Sequence, residues 1–310
     1  MAPVRIAVVG LGKIARDQHL PAIAGHTGFE LVATVDPHSS QVEGVASFDS
    51  LDALFRDGPA VDAVVLCTPP QVRYVLAAKA LKHGAHVFLE KPPGATLAEV
   101  AALKQLANAA GLTLFAGWHS RYAPGVEPAR EWLAGRRIDG VSIRWKEDVR
   151  AWHPGQEWIW ESGGLGVFDP GINALSIATH ILPRPFFLEA ATLSIPANRA
   201  APIAADLTFV DGEGVTMSME LDWRQTGPQS WDIVVDTDEG TLTLSQGGAV
   251  LALPDRTVED QEREYAGLYA HFAELIASRS SAVDTTPLRL VADAFLLGRR
   301  ETTDAFHWVG

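Results

Sequence analysis

Two patterns of apolar and polar residues divide the chain. Up to Arg121, short continuous apolar runs (Ile6–Val9, Leu31–Val35, Ala63–Cys67, His86–Leu89 and Leu112–Ala116) alternate with stretches of helical period such as Leu51–Phe55, Val72–Leu81 and Leu97–Ala109. Runs without a polar alternate imply strands buried on both faces, which is the property of a parallel sheet covered by helices on each side. The pattern predicts an α/β, doubly wound domain over residues 1–121.

Beyond Arg121-Tyr122-Ala123-Pro124-Gly125 the pattern changes. A helix is predicted over Glu127–Leu133, then Val141–Trp145 alternates like a strand with one wet face. Asp211-Gly212-Glu213-Gly214 joins candidate strands Ala205–Val210 and Val215–Leu221, and Asp238-Glu239-Gly240 joins Trp231–Val235 to Thr241–Leu244. Gln246-Gly247-Gly248 leads into a further strand, Ala249–Leu253, and helices Tyr265–Ser278 and Pro287–Arg299 close the chain. Residues 122–310 therefore read as an α+β domain with a mainly antiparallel sheet.

Composition narrows the function classes. A length of 310 residues suits about two domains. A net charge of −13 opposes nucleic acid as a partner, because a polyanion would be repelled. The single cysteine, Cys67, lies inside an apolar run, so a buried, inert thiol and a reducing, cytoplasmic setting are expected. Met1-Ala2-Pro3-Val4-Arg5 enters the first strand at once, so no signal peptide is expected, nor any membrane span. No spacing suits a structural metal, and hydrolase and kinase signatures are lacking.

Gly10-Leu11-Gly12-Lys13-Ile14-Ala15 follows the first strand and opens a helix, the context a dinucleotide fingerprint needs. Gly10 permits the tight turn, Gly12 admits a pyrophosphate against the backbone, and Lys13 and Ile14 lie in the first turn of the helix that would face it. Asp36 ends the second strand, where a carboxylate accepts bonds from the adenosine ribose and repels a 2′-phosphate. NAD is the preferred cofactor on this reading, with NADP possible. Thr68 and Pro69 close the strand ending at Cys67 and face the same crevice, although an ordinary proline turn explains them almost as well.

Glu90-Lys91-Pro92-Pro93 follows the strand His86–Leu89 and emerges at that crevice too, so Glu90 and Lys91 are candidate cofactor-binding residues. Prolines halt the strand, placing the Lys91 ammonium beside the cofactor as a candidate proton shuttle. Asp169 reads most simply as a helix N-cap with Pro170 at the first helical position. It also shares a helical face with Asn173, four residues on, so an acid and an amide can grip neighbouring hydroxyls. Glu147, Trp152 and His153 combine carboxylate, aromatic ring and imidazole as sugar recognition requires; His119 follows the last strand of the first domain and is a weaker candidate of the same kind. Trp158 and Trp160 are expected in the core.

Four strings together resemble the Gfo/Idh/MocA oxidoreductase family: Gly12–His19, Glu90–Gly94, Trp145–Arg150 and Gly166–Asn173. They are most similar to its bacterial group that oxidises D-galactose and L-arabinose. The resemblance spans essentially the whole chain and implies a Rossmann domain followed by a domain with a large open sheet. It implies oxidation of an aldopyranose at the anomeric carbon to the lactone, with hydride passed to NAD(P)+. Lys91 and Asp169 are implied to serve the proton transfer, and Glu147, His153 and Asn173 to bind substrate hydroxyls. Where the wider family often has a histidine this chain has Asn173, and an amide is no base, so the task falls to Asp169 or Lys91. NADP-accepting arabinose oxidisers tend to carry small or basic residues where this chain has Asp36. Two other readings compete: a dehydrogenase of another polyol such as an inositol, and a catalytically silent NAD(P)-binding regulator. An open sheet also favours a homo-oligomer.

Overall fold

The computed structural model describes residues 2–38, 41–261 and 263–308. The chain forms two compact units: 1–119 with 264–285, and 120–263 with 286–310.

The first unit is built on a six-stranded sheet of β1 (Val4–Val9), β2 (Phe29–Val35), β3 (Ala46–Phe48), β4 (Ala63–Leu66), β5 (His86–Glu90) and β6 (Leu114–Gly117), in the order β3-β2-β1-β4-β5-β6. Every pairing is parallel. The central strands carry the apolar runs, and Val64, Val65, Val87, Phe88 and Leu89 are fully buried. Strand order reverses between β1 and β4, and such a reversal opens the crevice where doubly wound sheets bind ligands. Helices Pro70–Lys82 and Leu97–Ala110 pack against each other. The second is set by a capping box, Thr96 with Glu99, and stopped by Gly111 in the left-handed region at φ +65°.

A boundary at 121/122 assigns everything after it to the second domain, yet residues 264–285 pack on the first unit. The cause is aromatic. Helix Glu264–Ser278 brings Tyr269 and Phe272 onto Phe29 and Phe88, and Phe272 stacks on Phe115 at 5.8 Å. Ala282 then exchanges backbone bonds with the β6 edge, donating to Leu114 O and accepting from Ala116 N.

The second unit holds a nine-stranded sheet of β7 (Ile138–Lys146), β8 (Phe186–Pro196), β9 (Ala204–Asp211), β10 (Thr216–Asp222), β11 (Ser230–Thr237), β12 (Gly240–Ser245), β13 (Val250–Ala252), β14 (Thr257–Glu259) and β15 (Arg299–Thr303), ordered β14-β13-β12-β11-β7-β10-β9-β8-β15. It is mainly antiparallel as expected, but β7 pairs with β10 and β8 with β15 in parallel. Helix Phe168–Ile181 is buried along most of its length and packs on β7 and β11. That burial follows from its composition: small and apolar residues on nearly every side let it lie flat on the sheet. The last helix, Thr286–Leu297, stops two residues short of the predicted end because Arg299 begins β15.

Candidate active site

In the first unit the fingerprint turn has the shape its residues dictate. Gly10 sits at φ +87°, and a Cβ there would press on Thr68 Cγ2 at 3.0 Å, so only glycine fits. A Cβ on Gly12 would meet nothing within 4 Å, leaving the backbone open to a ligand. Lys13 pairs with Asp17 on the exposed side, and Ile14 is partly exposed.

Asp36 is nearly buried at the end of β2. Its Oδ2 accepts from Leu11 N at 2.8 Å and its Oδ1 from His38 N at 2.8 Å. The carboxylate thus ties the glycine turn to β2 and is immobile where a ribose would lie. Thr68 Oγ1 is buried and has no hydrogen-bond partner among the described residues. An orphaned hydroxyl, a cradle open at Gly12 and a fixed carboxylate together fit a dinucleotide.

The Lys91 loop is held from behind. Glu90 is 3 % exposed; its Oε1 accepts from His19 Nε2 at 3.0 Å and from Tyr265 Oη at 2.7 Å, and its Oε2 from the Lys91 backbone N at 2.7 Å. His19 Nδ1 in turn lies 2.8 Å from Tyr269 Oη, so a second buried hydroxyl backs the pair. Glu90's carboxylate is thereby committed to protein partners. The buried Arg73 donates to the carbonyls of Thr68, Glu90 and Pro92, tying the β4 turn to the β5 turn, and the Lys91–Pro92 peptide is cis. His119, the weaker candidate, stacks on Tyr265 and bonds Glu264 Oε2 through Nδ1 at 2.5 Å. Burial opposes its protonation, but the charge and bond of Glu264 prevail and raise its pKa above the ordinary value. Cys67 is half-buried, and burial pushes its thiol well above the usual range, so it is no nucleophile at neutral pH.

Burial alone would raise Glu90, but the His19 bond and charge, with His119 and Lys91, outweigh it and bring the carboxyl down to about 2. A depressed folded pKa contributes stability that is present above the ordinary value of 4.5 and lost as pH falls towards 2. At about 1.4 kcal/mol per pKa unit, this loss is ~3 kcal/mol. Denaturant unfolding of wild type and Glu90→Gln from pH 5 to pH 2 is expected to show it as the extra slope of the wild type; parallel slopes would refute it.

In the second unit Asp169 does not cap its helix. The helix begins at Phe168 with Val167 as N-cap, so Asp169 lies within the first turn and Pro170 is no longer its first residue. Gly166, at φ +54° against the Pro202 carbonyl, makes the tight entry that shifts the start. Asp169 is 4 % exposed and Asn173, one turn on, is half-buried.

Glu147, one residue past β7, is 2 % exposed. Its Oε1 receives His153 Nε2 at 3.2 Å and Trp223 Nε1 at 3.3 Å, and its Oε2 receives Trp231 Nε1 at 2.8 Å. His153 Nδ1 lies 3.9 Å from Asp169 Oδ2, so the imidazole stands between two carboxylates. Trp152 is 42 % exposed with its ring 4.8 Å from Trp231; Trp160 is in the core as expected, whereas Trp158 is only half-buried. Reading the sequence missed His19, Arg73, Tyr265, Trp223 and Trp231. Only His19 had a signal, as the last residue of the string after the fingerprint; an arginine in the midst of Pro70–Lys82 reads as an exposed face until its partners are known.

A parallel sheet with this glycine turn, strand-end acid and reversal of order defines an NAD(P)-binding Rossmann domain. Residues 4–118 match a family model described as the GFO_IDH_MocA oxidoreductase family, NAD-binding Rossmann fold. Over 310 residues the chain is 47 % identical to a Pseudomonas fluorescens protein named galactose 1-dehydrogenase, covering 99 % of this chain and 100 % of that one. The chain belongs to the Gfo/Idh/MocA oxidoreductase family. Among solved structures, a D-galactose-1-dehydrogenase protein from Rhizobium etli is 58 % identical with a TM-score of 0.95, covering 99 % of each chain. KijD10, a 3-ketoreductase from Actinomadura kijaniata in complex with NADP and TDP-benzene, shares the fold at 18 % identity and TM-score 0.83, covering 97 % of this chain and 99 % of that one. Among the described residues no helix is long and apolar enough to cross a membrane, and no cluster could hold a metal ion.

Proposed function

We propose that this protein oxidises an aldopyranose, D-galactose or L-arabinose, at the anomeric carbon to the aldonolactone. The observation that carries this reading is the 47 % identity, end to end, with a protein named galactose 1-dehydrogenase. The second unit supports it: indoles, an imidazole, an amide and two buried carboxylates are the groups that bind sugar hydroxyls and ring faces.

Gly10, Gly12, Lys13 and Ile14 would cradle the cofactor's pyrophosphate, Asp36 its adenosine ribose, and Thr68 and Pro69 its other ribose. When bound, the nicotinamide supplies the hydride acceptor. Lys91 and Asp169 handle the hydroxyl proton, with Lys91 presented by the Glu90 and Arg73 anchors described above. Glu147, His153, Asn173, His119 and Trp152 orient the sugar.

NAD is the preferred cofactor in this reading, because Asp36 is anchored by two backbone amides and cannot swing away from a 2′-phosphate. Asp36→Ser is expected to lower kcat/KM for NAD+ and raise it for NADP+, shifting their ratio by about tenfold or more, which is ~1.4 kcal/mol. An unchanged ratio would remove Asp36 from the discrimination. A cytoplasmic setting, and a homo-oligomer formed through the open face of the nine-stranded sheet, complete the proposal; light scattering tests the latter.

The deciding experiment is an aldose panel with NAD+ and NADP+, followed through reduced nicotinamide. Galactose and arabinose are expected to lead. No turnover of any aldose refutes the reading, and turnover of an inositol alone would reassign the substrate.

A further inference from the structure

We infer that His153 is a positioning residue that takes the substrate proton onward from Asp169 and delivers it to solvent. The inference rests on the aldose-oxidation reading and goes beyond it by assigning the proton's exit.

Trp223 and Trp231 fix the hydrogen-bonding roles in this cluster. An indole N–H can only donate. Trp223 donates to Glu147 Oε1 and Trp231 to Oε2, so both oxygens of this carboxylate are acceptors. His153 Nε2, 3.2 Å from Oε1, is therefore the donor in its own contact with Glu147. A neutral imidazole carries one N–H, so Nδ1 keeps its lone pair, and that atom faces Asp169 Oδ2 at 3.9 Å. Two tryptophans that touch no acid other than Glu147 in this cluster thus set the tautomer of a ring one step further on. The Trp223 ring, 5.3 Å from the imidazole centroid, holds its orientation.

Exposure sets the direction of travel. The side chain of Glu147 is 2 % exposed, that of Asp169 6 % and that of His153 16 %, so the imidazole is the most open of the three. Glu147 and Asp169 are the titratable groups set against the ring.

The anomeric C–H bond breaks, and a bound nicotinamide would take its electron pair as hydride. The hydroxyl O–H bond breaks, its proton passing to the Asp169 carboxylate, and the carbon–oxygen double bond of the lactone forms. Asp169 O–H then gives its proton to His153 Nδ1. The imidazolium, flanked by two carboxylates, releases one proton to water and returns to its Nε2–H form. The 3.9 Å separation must close by about 1 Å for that transfer, a tightening usual on substrate binding.

Two measurements test this. In protein labelled with 15N-histidine, the His153 ring is expected to show the Nε2–H tautomer once neutral, without substrate or cofactor; an Nδ1–H signal would overturn the inference. His153→Gln keeps a donor for Glu147 but has no titrating nitrogen. It is expected to lower kcat by roughly 10²-fold with KM changed only a few-fold. In His153→Ala, added imidazole is expected to restore part of kcat. If His153 only grips a sugar hydroxyl, His153→Gln raises KM and leaves kcat in place, and the inference fails. If the wild type oxidises no aldose, the functional reading fails instead, and the tautomer alone then decides the arrangement of the ring.

Discussion

Lys91→Met is expected to lower kcat by roughly 10²–10⁴-fold, the usual range for loss of a group that assists proton transfer. The affinity for NAD+ should change by less than about tenfold, because phosphate and ribose contacts lie elsewhere in the proposed mode of binding. Methionine keeps the length and most of the apolar stem of lysine, so packing around the loop is preserved while the ammonium is lost. The loop itself should stay in place, since its anchors are the Glu90 carboxylate on the Lys91 amide and Arg73 on the carbonyls of Glu90 and Pro92. Pre-steady-state measurement of reduced nicotinamide, beside fluorescence titration of NAD+, separates the two effects. Near-normal turnover would remove Lys91 from the chemistry.

Arg73→Met should act on folding rather than chemistry. The guanidinium is 2 % exposed and serves carbonyls of Thr68, Glu90 and Pro92 at once. A buried carbonyl left without its donor costs about 1–3 kcal/mol, so the variant should lose about 4 kcal/mol of stability after some relaxation. Urea unfolding measures this directly. A lysine at the same place should recover little, because a point charge cannot reach partners that the planar fork addresses together. A loss below about 1 kcal/mol would mean that water or neighbouring donors replace the arginine.

How much of this was legible follows from what each signal encodes. The central parallel strands were readable because burial on both faces forces continuous apolar runs, as in Ala63–Leu66 and His86–Glu90. β3 is three residues long and carries no period. β8 breaks its own alternation through a register shift between Leu188 and Ala190, and β15, Arg-Arg-Glu-Thr-Thr, is an exposed edge that no apolar pattern marks. The helix Glu264–Ser278 was found, but an apolar face does not name the surface that covers it.

The site was legible where chemistry is local in sequence. The glycine turn, Asp36 and Lys91 follow from strand ends, and Asp169 with Asn173 from helical spacing. The supports were not legible, because Glu90 meets Tyr265 across 175 positions and Glu147 meets Trp231 across 84. The start of the Asp169 helix was misplaced by two residues for a similar reason. A residue pair Asp-Pro reads as cap and first turn, and only the close approach of Gly166 to Pro202 moves the helix start back.

The return of residues 264–285 to the first unit bears on how the chain is made. During synthesis, residues 1–119 emerge long before the helix that covers Phe29, Phe88 and Phe115 exists. Until then the parallel sheet carries an uncovered aromatic surface, and Glu90 lacks its Tyr265 partner. The intervening residues 120–263 leave the ribosome during this interval. The nucleotide-binding half therefore begins first and finishes late, and the nascent chain is most exposed to aggregation, and most in need of a holding chaperone, between those two moments.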